Sequence, residues 1–272
     1  MKGLSPNPKE AFAISEYQCT FKRYEKKYLV TQQQYNALAK VFAARMVPDR
    51  FAESTISNIY YDTPDFRLIR RSLDRPAYKE KLRLRTYRTP HADTEAFVEI
   101  KKKYDHIVYK RRIAMTYSEA QAYLDGGAAP EQSQISNEID WFLHFYKGIQ
   151  PAMCICYDRL ALFDKYQPEL RVTFDSGIRW RMDDLDLSSG SAGEQLLPHD
   201  TCLMEIKIPG TTPLWLARAL SENAIFPTHF PNTARRTRPC CARTVRRSSA
   251  ANTSHQRKRR NLLCLRQFSV RF

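Results

Sequence analysis

The amino-acid sequence predicts an α+β protein in which a closed eight-stranded antiparallel β-barrel has helices packed outside it. About eight segments alternate polar and apolar residues with the period of a strand, and most of them are joined by short turns. Other segments carry apolar stripes at helical spacing and could cover the outside of a sheet. Short turns favour antiparallel neighbours, and closure of the sheet removes exposed edges.

The predicted elements follow the chain in order. Strands are expected over 19–30, 54–61, 77–88, 95–103, 107–117, 152–163, 170–175, 177–182 and 202–208, the count being approximate. Helices are expected over 32–46, 66–73, 118–124, 136–147 and 214–224. Thr31 is a suitable N-cap for the first helix, and Pro213 is suitable in the first turn of the last.

The net charge of +15 is concentrated at the C-terminus. Residues 231–272 contain 12 of the 44 Lys and Arg and no acidic residue, so the remainder holds 32 basic against 29 acidic residues. This division predicts a leader over 1–17, a folded domain over 18–230 and a basic tail over 231–272. Because the domain is nearly neutral, no nucleic-acid partner is expected for it.

Cysteine content and hydropathy predict the redox state of the thiols and the location of the protein. The seven cysteines show no metal-binding spacing, so reduced thiols are expected. Cys154 and Cys156, two apart on a predicted strand, are expected to face opposite sides of it. There is no apolar run of about 20 residues and no secretory signal, which predicts a cytoplasmic protein without a membrane segment.

The stretch EKLRLRTYR at 80–88 places Lys81, Arg83 and Arg85 on the face opposite Leu82 and Leu84. On one strand, a solvated face explains such a row of cations. Six other strands repeat the pattern, which instead indicates a charged interior with the apolar face turned outward beneath helices. The other charged residues on these faces are Glu25, Lys27, Glu99, Lys101, Lys110, Arg112, Arg159, Arg171, Glu205 and Lys207.

A charged interior is costly unless a ligand fills it. Arg and Lys match phosphate oxygens, and carboxylates such as Glu205 and Glu25 suit Mg²⁺ or Mn²⁺ bridging those oxygens. A chain of phosphates with a divalent metal is therefore the expected guest.

Seven motifs in this order resemble the VTC-domain polyphosphate polymerases, which belong to the triphosphate tunnel metalloenzymes. They are RYEKKYLV, SNIYYDTPDF, KLRLRTY, FVEIKKK, VYKRR, LRVTFD and MEIKIPG, and the resemblance covers roughly 18–230. It implies a tunnel of eight antiparallel strands and transfer of the ATP γ-phosphate to a growing polyphosphate chain with Mn²⁺ or Mg²⁺. The partners are then ATP and polyphosphate; the oligomeric state stays open.

The resemblance also assigns residues. Its phosphate-binding and catalytic positions correspond to Lys27, Arg83, Arg85, Lys101, Lys110, Arg159 and Arg171, and its metal-binding glutamate to Glu205. Lys81, Arg112 and Lys207 are added as phosphate-binding residues because they share the charged face. Glu25 and Glu99 on the same face are the further metal candidates.

Two alternatives remain open. Related triphosphatases carry Glu-x-Glu-x-Lys on the first strand, whereas this chain has Arg23-x-Glu25-x-Lys27, which favours a polymerase over a hydrolase. A non-catalytic module that binds polyphosphate, inositol phosphate or RNA is the third hypothesis.

The C-terminus departs from the family pattern, which ends in a strand with Ser-Lys-Tyr and a second lysine. Residues 229–239 read HFPNTARRTRP, and their codons regrouped one base earlier can encode SFSKYGTAYKA. The sequence therefore favours out-of-frame translation over a basic arm for nucleic acid or acidic lipid. A chain made as written is expected to have weak or no polymerase activity.

Overall fold

The computed structural model describes residues 24–228 except 75 and 106. The expected leader, the start of the first predicted strand, Arg23 and the basic tail lie outside the described residues. Nine strands occur in the described part, and every paired couple is antiparallel. They are β1 (Tyr24–Thr31), β2 (Met46–Asp62), β3 (Tyr78–Tyr87), β4 (Glu95–Tyr104), β5 (Ile107–Thr116), β6 (Gln150–Asp164), β7 (Arg171–Arg181), β8 (Glu194–Gln195) and β9 (Thr201–Ile208).

The strands form one sheet in the order β1-β9-β7-β6-β2-β3-β4-β5, with β8 paired to β7. The expectation of a closed eight-stranded barrel is wrong, because β1 and β5 do not pair with each other among the described residues and the sheet has nine strands. The free edge of β1 is already engaged: Thr228 donates its backbone N–H to the Lys27 carbonyl at 2.7 Å. Its hydroxyl accepts from the Leu29 N–H at 2.9 Å, so these two backbone groups cannot pair with β5.

The two ends of the sheet nevertheless approach one another. Lys101 on β4 lies close enough to Glu25 and Lys27 on β1 for both charges to affect its pKa, although burial is the largest effect and lowers it. The sheet is therefore strongly curled, with an inner face that carries Lys27, Lys101 and Glu205 and an outer face covered by helices.

The helices are α1 (Gln32–Phe42), α2 (Arg67–Leu73), α3 (Tyr117–Leu124), α4 (Gln134–Phe145) and α5 (Leu214–Glu222). Thr31 caps α1 as expected, in a capping box with Gln34. The α2 helix follows β2 directly, and the Asp62 carboxylate accepts the N–H groups of Leu68 and Ile69 at 2.9 Å each. This contact fixes α2 at the end of β2, where α2 packs against the sheet.

Two apolar clusters cover the outer face. One packs α3 and α4 against β2, β3 and β4 around Leu82, Leu84 and Val98. The other packs α1 and α5 against β1, β7 and β9 around Val30 and Met204. The prediction that the apolar residues of these strands turn outward beneath helices is confirmed, since Leu82, Leu84 and Val98 have no exposed surface.

A third apolar cluster lies on the inner face, where the sequence pattern predicts charge. Met153 and Ile155 on β6 pack there with Trp180 on β7, and Ile69 of α2 joins them. By register, Ile155 lies opposite both Asn58 on β2 and Trp180 on β7, which places this cluster on the face of the cations. The interior therefore holds an apolar cluster beside its charged residues.

Two local expectations differ from the structure. Cys154 and Cys156 point to the same side of β6, with sulfur atoms 3.6 Å apart, because residues two apart on a strand share a face. The predicted strands over 170–175 and 177–182 form the single strand β7, with Gly177 at φ +54°. In the described part of the chain, no helix combines the length and apolar character needed to cross a membrane.

Candidate functional site

The inner face brings the sequence-predicted cations and carboxylates together from β1, β3, β4, β5, β6, β7 and β9. The strand registers place Lys27 opposite Glu205, Arg83 opposite Glu99, Lys101 opposite both Lys81 and Lys110, Glu99 opposite Arg112, and Arg171 opposite Lys207. The face assignment made from period-2 alternation holds for each of these pairs. The sequence could not indicate which charges pair, because that depends on register.

At the β1–β9 pair, one carboxylate lies between two lysines. The Glu205 carboxylate is 2.8 Å from the Lys207 ammonium and 3.4 Å from that of Lys27. Lys27 is also 3.8 Å from the carboxylate of Glu25. Burial raises the pKa of Glu205, but Lys207 and Lys27 outweigh it and hold that pKa well below its usual range. The two lysines therefore favour the ionised form of Glu205.

Glu99 on β4 contacts one cation on each neighbouring strand, Arg83 on β3 and Lys110 on β5. Its Oε2 accepts from Arg83 Nε at 2.6 Å, and its Oε1 is 2.9 Å from the Lys110 ammonium. The Glu99 side chain is 1% exposed. Burial raises its pKa, but the cations Arg83, Arg85 and Lys110 lower it to about 2. The structure thus places Glu99 as the counter-ion of Arg83 and Lys110, away from the Glu25–Glu205 pair.

Arg85 has a different environment. It is 5% exposed, its Nε donates to Asn58 Oδ1 at 2.8 Å, and its Nη2 donates to the Tyr157 hydroxyl at 3.1 Å. Both acceptors are neutral. Its neighbour on the inner face, Arg83, has one neutral acceptor as well, the Tyr60 hydroxyl at 3.0 Å.

The remaining arginines lie on other strands. Arg159 makes a two-point contact with Asp175, with distances of 2.6 Å and 2.8 Å. Arg171 is more exposed and lies 3.9 Å from Asp49. The Arg112 guanidinium lies 4.6 Å from the centre of the Phe97 ring.

Lys81 on β3 and Lys101 on β4 lie opposite each other and face the interior. Burial and the charge of Lys101 lower the pKa of Lys81, and burial lowers that of Lys101. An anion placed between them would restore their preference for the charged form, since an opposite charge within about 4–6 Å favours ionisation.

The donor set for a metal is small. Among the described residues, no group of three or more His, Cys, Asp or Glu side chains is close enough to hold an ion. Glu25 and Glu205 do converge on Lys27, and Thr173, opposite Glu205 in register, has a buried hydroxyl without a hydrogen-bond partner among the described residues. Mg²⁺ and Mn²⁺ commonly use one or two carboxylates and complete their shell with water and substrate phosphates. The residues therefore fit a metal that binds together with a phosphate ligand.

Four polar side chains of this face contact the predicted arginines: Asn58, Tyr60, Tyr157 and Asp175. Alternation along the sequence places Tyr157 with Arg159 and Asp175 with Arg171, whereas Asn58 and Tyr60 were missed. Asn58 and Tyr60 alternate along β2, and Tyr157 precedes Arg159 by two residues. Period-2 alternation on β2 would have placed both residues on the inner face, but it could not indicate their partners.

Comparison with known proteins identifies a family. The model of the VTC domain family matches residues 22–230. A search of curated proteins by sequence finds no match.

The solved structures found by comparison share little sequence with the chain. A candidate adenylate cyclase from Bacillus halodurans has 14% identity and a TM-score of 0.48, covering 79% of this chain and 96% of that one. The candidate adenylyl cyclase HpAC1 from Hippeastrum, described as having a dominant triphosphatase activity, has 13% identity and a TM-score of 0.46, covering 77% of this chain and 92% of that one.

Proposed function

Because the chain belongs to the VTC domain family, we propose that it is a polyphosphate polymerase that uses ATP. It transfers the γ-phosphate of ATP to the end of a polyphosphate chain and releases ADP. The observation that supports this most is the row of inner-face cations on seven strands beside a converging pair of glutamates.

The proposed roles divide along the inner face. The residues proposed to contact reacting phosphates are Lys27, Arg83, Arg85, Lys101, Lys110, Arg159 and Arg171. The same surface is extended by Lys81, Arg112 and Lys207, which are proposed to bind the rest of the polyphosphate. Arginine side chains can grip two phosphate oxygens at once, and lysines add point charges between them.

Glu205 and Glu25 are proposed to hold Mn²⁺ or Mg²⁺, which would neutralise phosphate charge. Lys27 lies between the two carboxylates, so it can move towards a phosphate oxygen when a divalent cation takes its place. Glu99 is a weaker candidate ligand, because Arg83 and Lys110 already occupy its two oxygens.

The reaction needs positioning rather than a covalent nucleophile. An ionised oxygen of the polyphosphate terminus forms a bond to the γ-phosphorus, the bond between that phosphorus and the β,γ-bridging oxygen breaks, and ADP carries the electron pair away. Charge spreads over the transferred oxygens, so fixed cations such as Arg83 and Arg85 stabilise the transition state. Neutral acceptors and carboxylates hold those arginines in place before substrate binds.

The C-terminus bears on activity. Thr228 already lies against β1, which is an edge strand of the sheet among the described residues. We propose that the segment SFSKYGTAYKA, read in the alternative frame, continues from here in the active protein and adds lysines to the interior. Sequencing the gene around codon 228 tests this, and an uninterrupted frame with no insertion or deletion upstream would rule it out.

The function is tested by incubating two proteins with ATP and Mn²⁺, the chain as written and a version with residues 1–228 followed by the restored frame. Gel-resolved phosphate polymer accompanied by ADP supports the polymerase. Free phosphate without polymer would make the protein a triphosphatase, and neither product would indicate a binding module. ATP without metal is the control.

A further inference from the structure

Arg85 is a buried inner-face arginine that forms no ion pair within the described part of the chain, although the charge of Glu99 lies close enough to act on it. Arg83 contacts Glu99 and Arg159 contacts Asp175, each at 2.6 Å or closer through one nitrogen. Within residues 24–228, apart from 75 and 106, no carboxylate forms an ion pair with Arg85, and the nearby Glu99 is occupied by Arg83 and Lys110.

This environment is unusual for a guanidinium that is 5% exposed. Arginine is seldom buried unless it is paired, because removal of its charge from water is costly. The hydrogen bonds to Asn58 and Tyr157 satisfy two of its nitrogens and fix its plane. They do not neutralise it, and Glu99 acts on it without forming an ion pair, so the positive charge of Arg85 can still attract an incoming anion.

Asn58 is held so that it presents only its oxygen to Arg85. Its amide nitrogen donates to the Ile155 carbonyl at 3.1 Å, and its side chain has no exposed surface. Because Ile155 accepts a hydrogen bond, the amide nitrogen must face it and the amide oxygen must face Arg85. An aspartate here would supply the missing counter-charge and would turn a second oxygen towards the Ile155 carbonyl.

We propose that Asn58 is a positioning residue that aims Arg85 into the site while leaving its charge for a phosphate group. The ligand class is an inorganic or nucleoside triphosphate, so the inference rests on the proposed function and deepens it. The side chain at position 58 then determines affinity for the anion through charge, although it does not contact the anion itself. A neutral amide gives strong phosphate binding, and a carboxylate competes with the phosphate.

The test measures binding of inorganic tripolyphosphate by calorimetry to the full chain and three variants. Asn58→Asp adds a carboxylate beside Arg85, and Asn58→Leu removes both hydrogen bonds without adding charge. Asn36→Asp is the matched control, since it makes the same change of charge on the exposed side of α1. We expect Asn58→Asp to lower affinity at least tenfold, Asn58→Leu to lower it less, and Asn36→Asp to leave it unchanged.

A purely structural role for Asn58 predicts a different order. In that case Asn58→Leu, which removes both hydrogen bonds, would lower affinity as much as Asn58→Asp or more, and this result would overturn the inference. So would an Asn58→Asp variant with the affinity of Asn36→Asp. Urea unfolding without ligand gives a second readout: Asn58→Asp is expected to be at least as stable as Asn58→Leu, because its carboxylate pairs with Arg85.

Tyr157→Phe covers the case in which Asn58→Asp does not fold. It removes the second neutral acceptor and adds no charge, so a loss of tripolyphosphate affinity smaller than threefold is expected, with Asn58→Leu losing more. Equal affinity of Asn58→Leu and the unsubstituted chain would then contradict the proposal. Failure of the chain to make polymer from ATP, with tripolyphosphate binding intact, would count against the polymerase and not against this role of Asn58.

Discussion

Lys27 and Glu205 face each other across β1 and β9, with the ammonium nitrogen 3.4 Å from the carboxylate. The ammonium nitrogen of Lys27 also lies 3.8 Å from the carboxylate of Glu25, so Lys27 lies between the two carboxylates. Together the three residues combine a cation suited to phosphate with two carboxylates suited to a divalent metal. This is the part of the inner face at which metal and phosphate would meet.

Replacing Glu205 by Gln should weaken Mn²⁺ binding in the presence of tripolyphosphate by about 10- to 100-fold, because the variant removes one of two anionic metal ligands. Titration of Mn²⁺ followed by electron paramagnetic resonance measures the effect. Glu222→Gln, at an exposed position of α5, is the matched control and should bind as the unsubstituted chain does. Unchanged Mn²⁺ affinity in Glu205→Gln would exclude Glu205 as a ligand.

Glu99 should make stability depend on acid pH. Its pKa is about 2 in the folded chain against an ordinary value of 4.5, so its contribution is fully present above pH 4.5 and is lost as pH falls towards 2. The shift corresponds to about 3 kcal/mol. Glu99→Gln should therefore unfold at lower urea concentration at pH 7, and the difference should narrow below pH 4.5. A difference that stays constant from pH 7 to pH 3 would contradict this assignment, as would exposed Glu131→Gln behaving in the same way.

Because Leu82 lies on the outer face, its replacement should lower stability and leave tripolyphosphate binding nearly unchanged. Leu82 is fully buried beneath the α3–α4 layer, while its neighbours Lys81 and Arg83 face the interior. Leu82→Ala should lower the free energy of unfolding by about 2–5 kcal/mol through loss of packing. Tripolyphosphate affinity at a temperature where the variant is folded should stay within about twofold. Leu214→Ala, at a position that is 65% exposed, is the control for stability.

The alternation of residues predicted much of the fold and the site. Charge on one face and apolar residues on the other correctly assigned the two faces of β1, β3, β4 and β9, because a residue's face depends only on its position along the strand. Thr31, a strong N-cap followed by Gln34, correctly marked the start of α1.

Other features depend on contacts distant in sequence and could not be predicted. The β2 strand begins at Met46, before the predicted start at 54, and its register with β6 shifts between Pro48 and Glu53. Pro48 argues against a strand in sequence analysis, yet proline is tolerated at such irregularities. The apolar cluster of the interior joins Ile69, on α2, to Met153 and Ile155 on β6, and this contact is not visible in the alternation of any single strand.

The restored C-terminal frame should raise activity. Residues 1–228 followed by the SFSKYGTAYKA frame should make polymer from ATP at a rate well above that of the chain as written. The reason is that the added segment would start beside β1 at Thr228 and supply further cations. Variants of the restored segment with its two lysines changed to alanine provide the control and should fall to the lower rate. Robust synthesis by the chain as written would contradict this prediction.

The ratio of products from ATP tests the central claim most directly. The restored-frame protein is incubated with ATP and Mn²⁺, and ADP, free phosphate and phosphate in polymer are quantified in the same samples. A polymerase predicts that polymer phosphate and ADP rise together in about equal amounts, with little free phosphate. ADP matched by free phosphate, with no polymer at any time, would contradict the claim and establish a hydrolase.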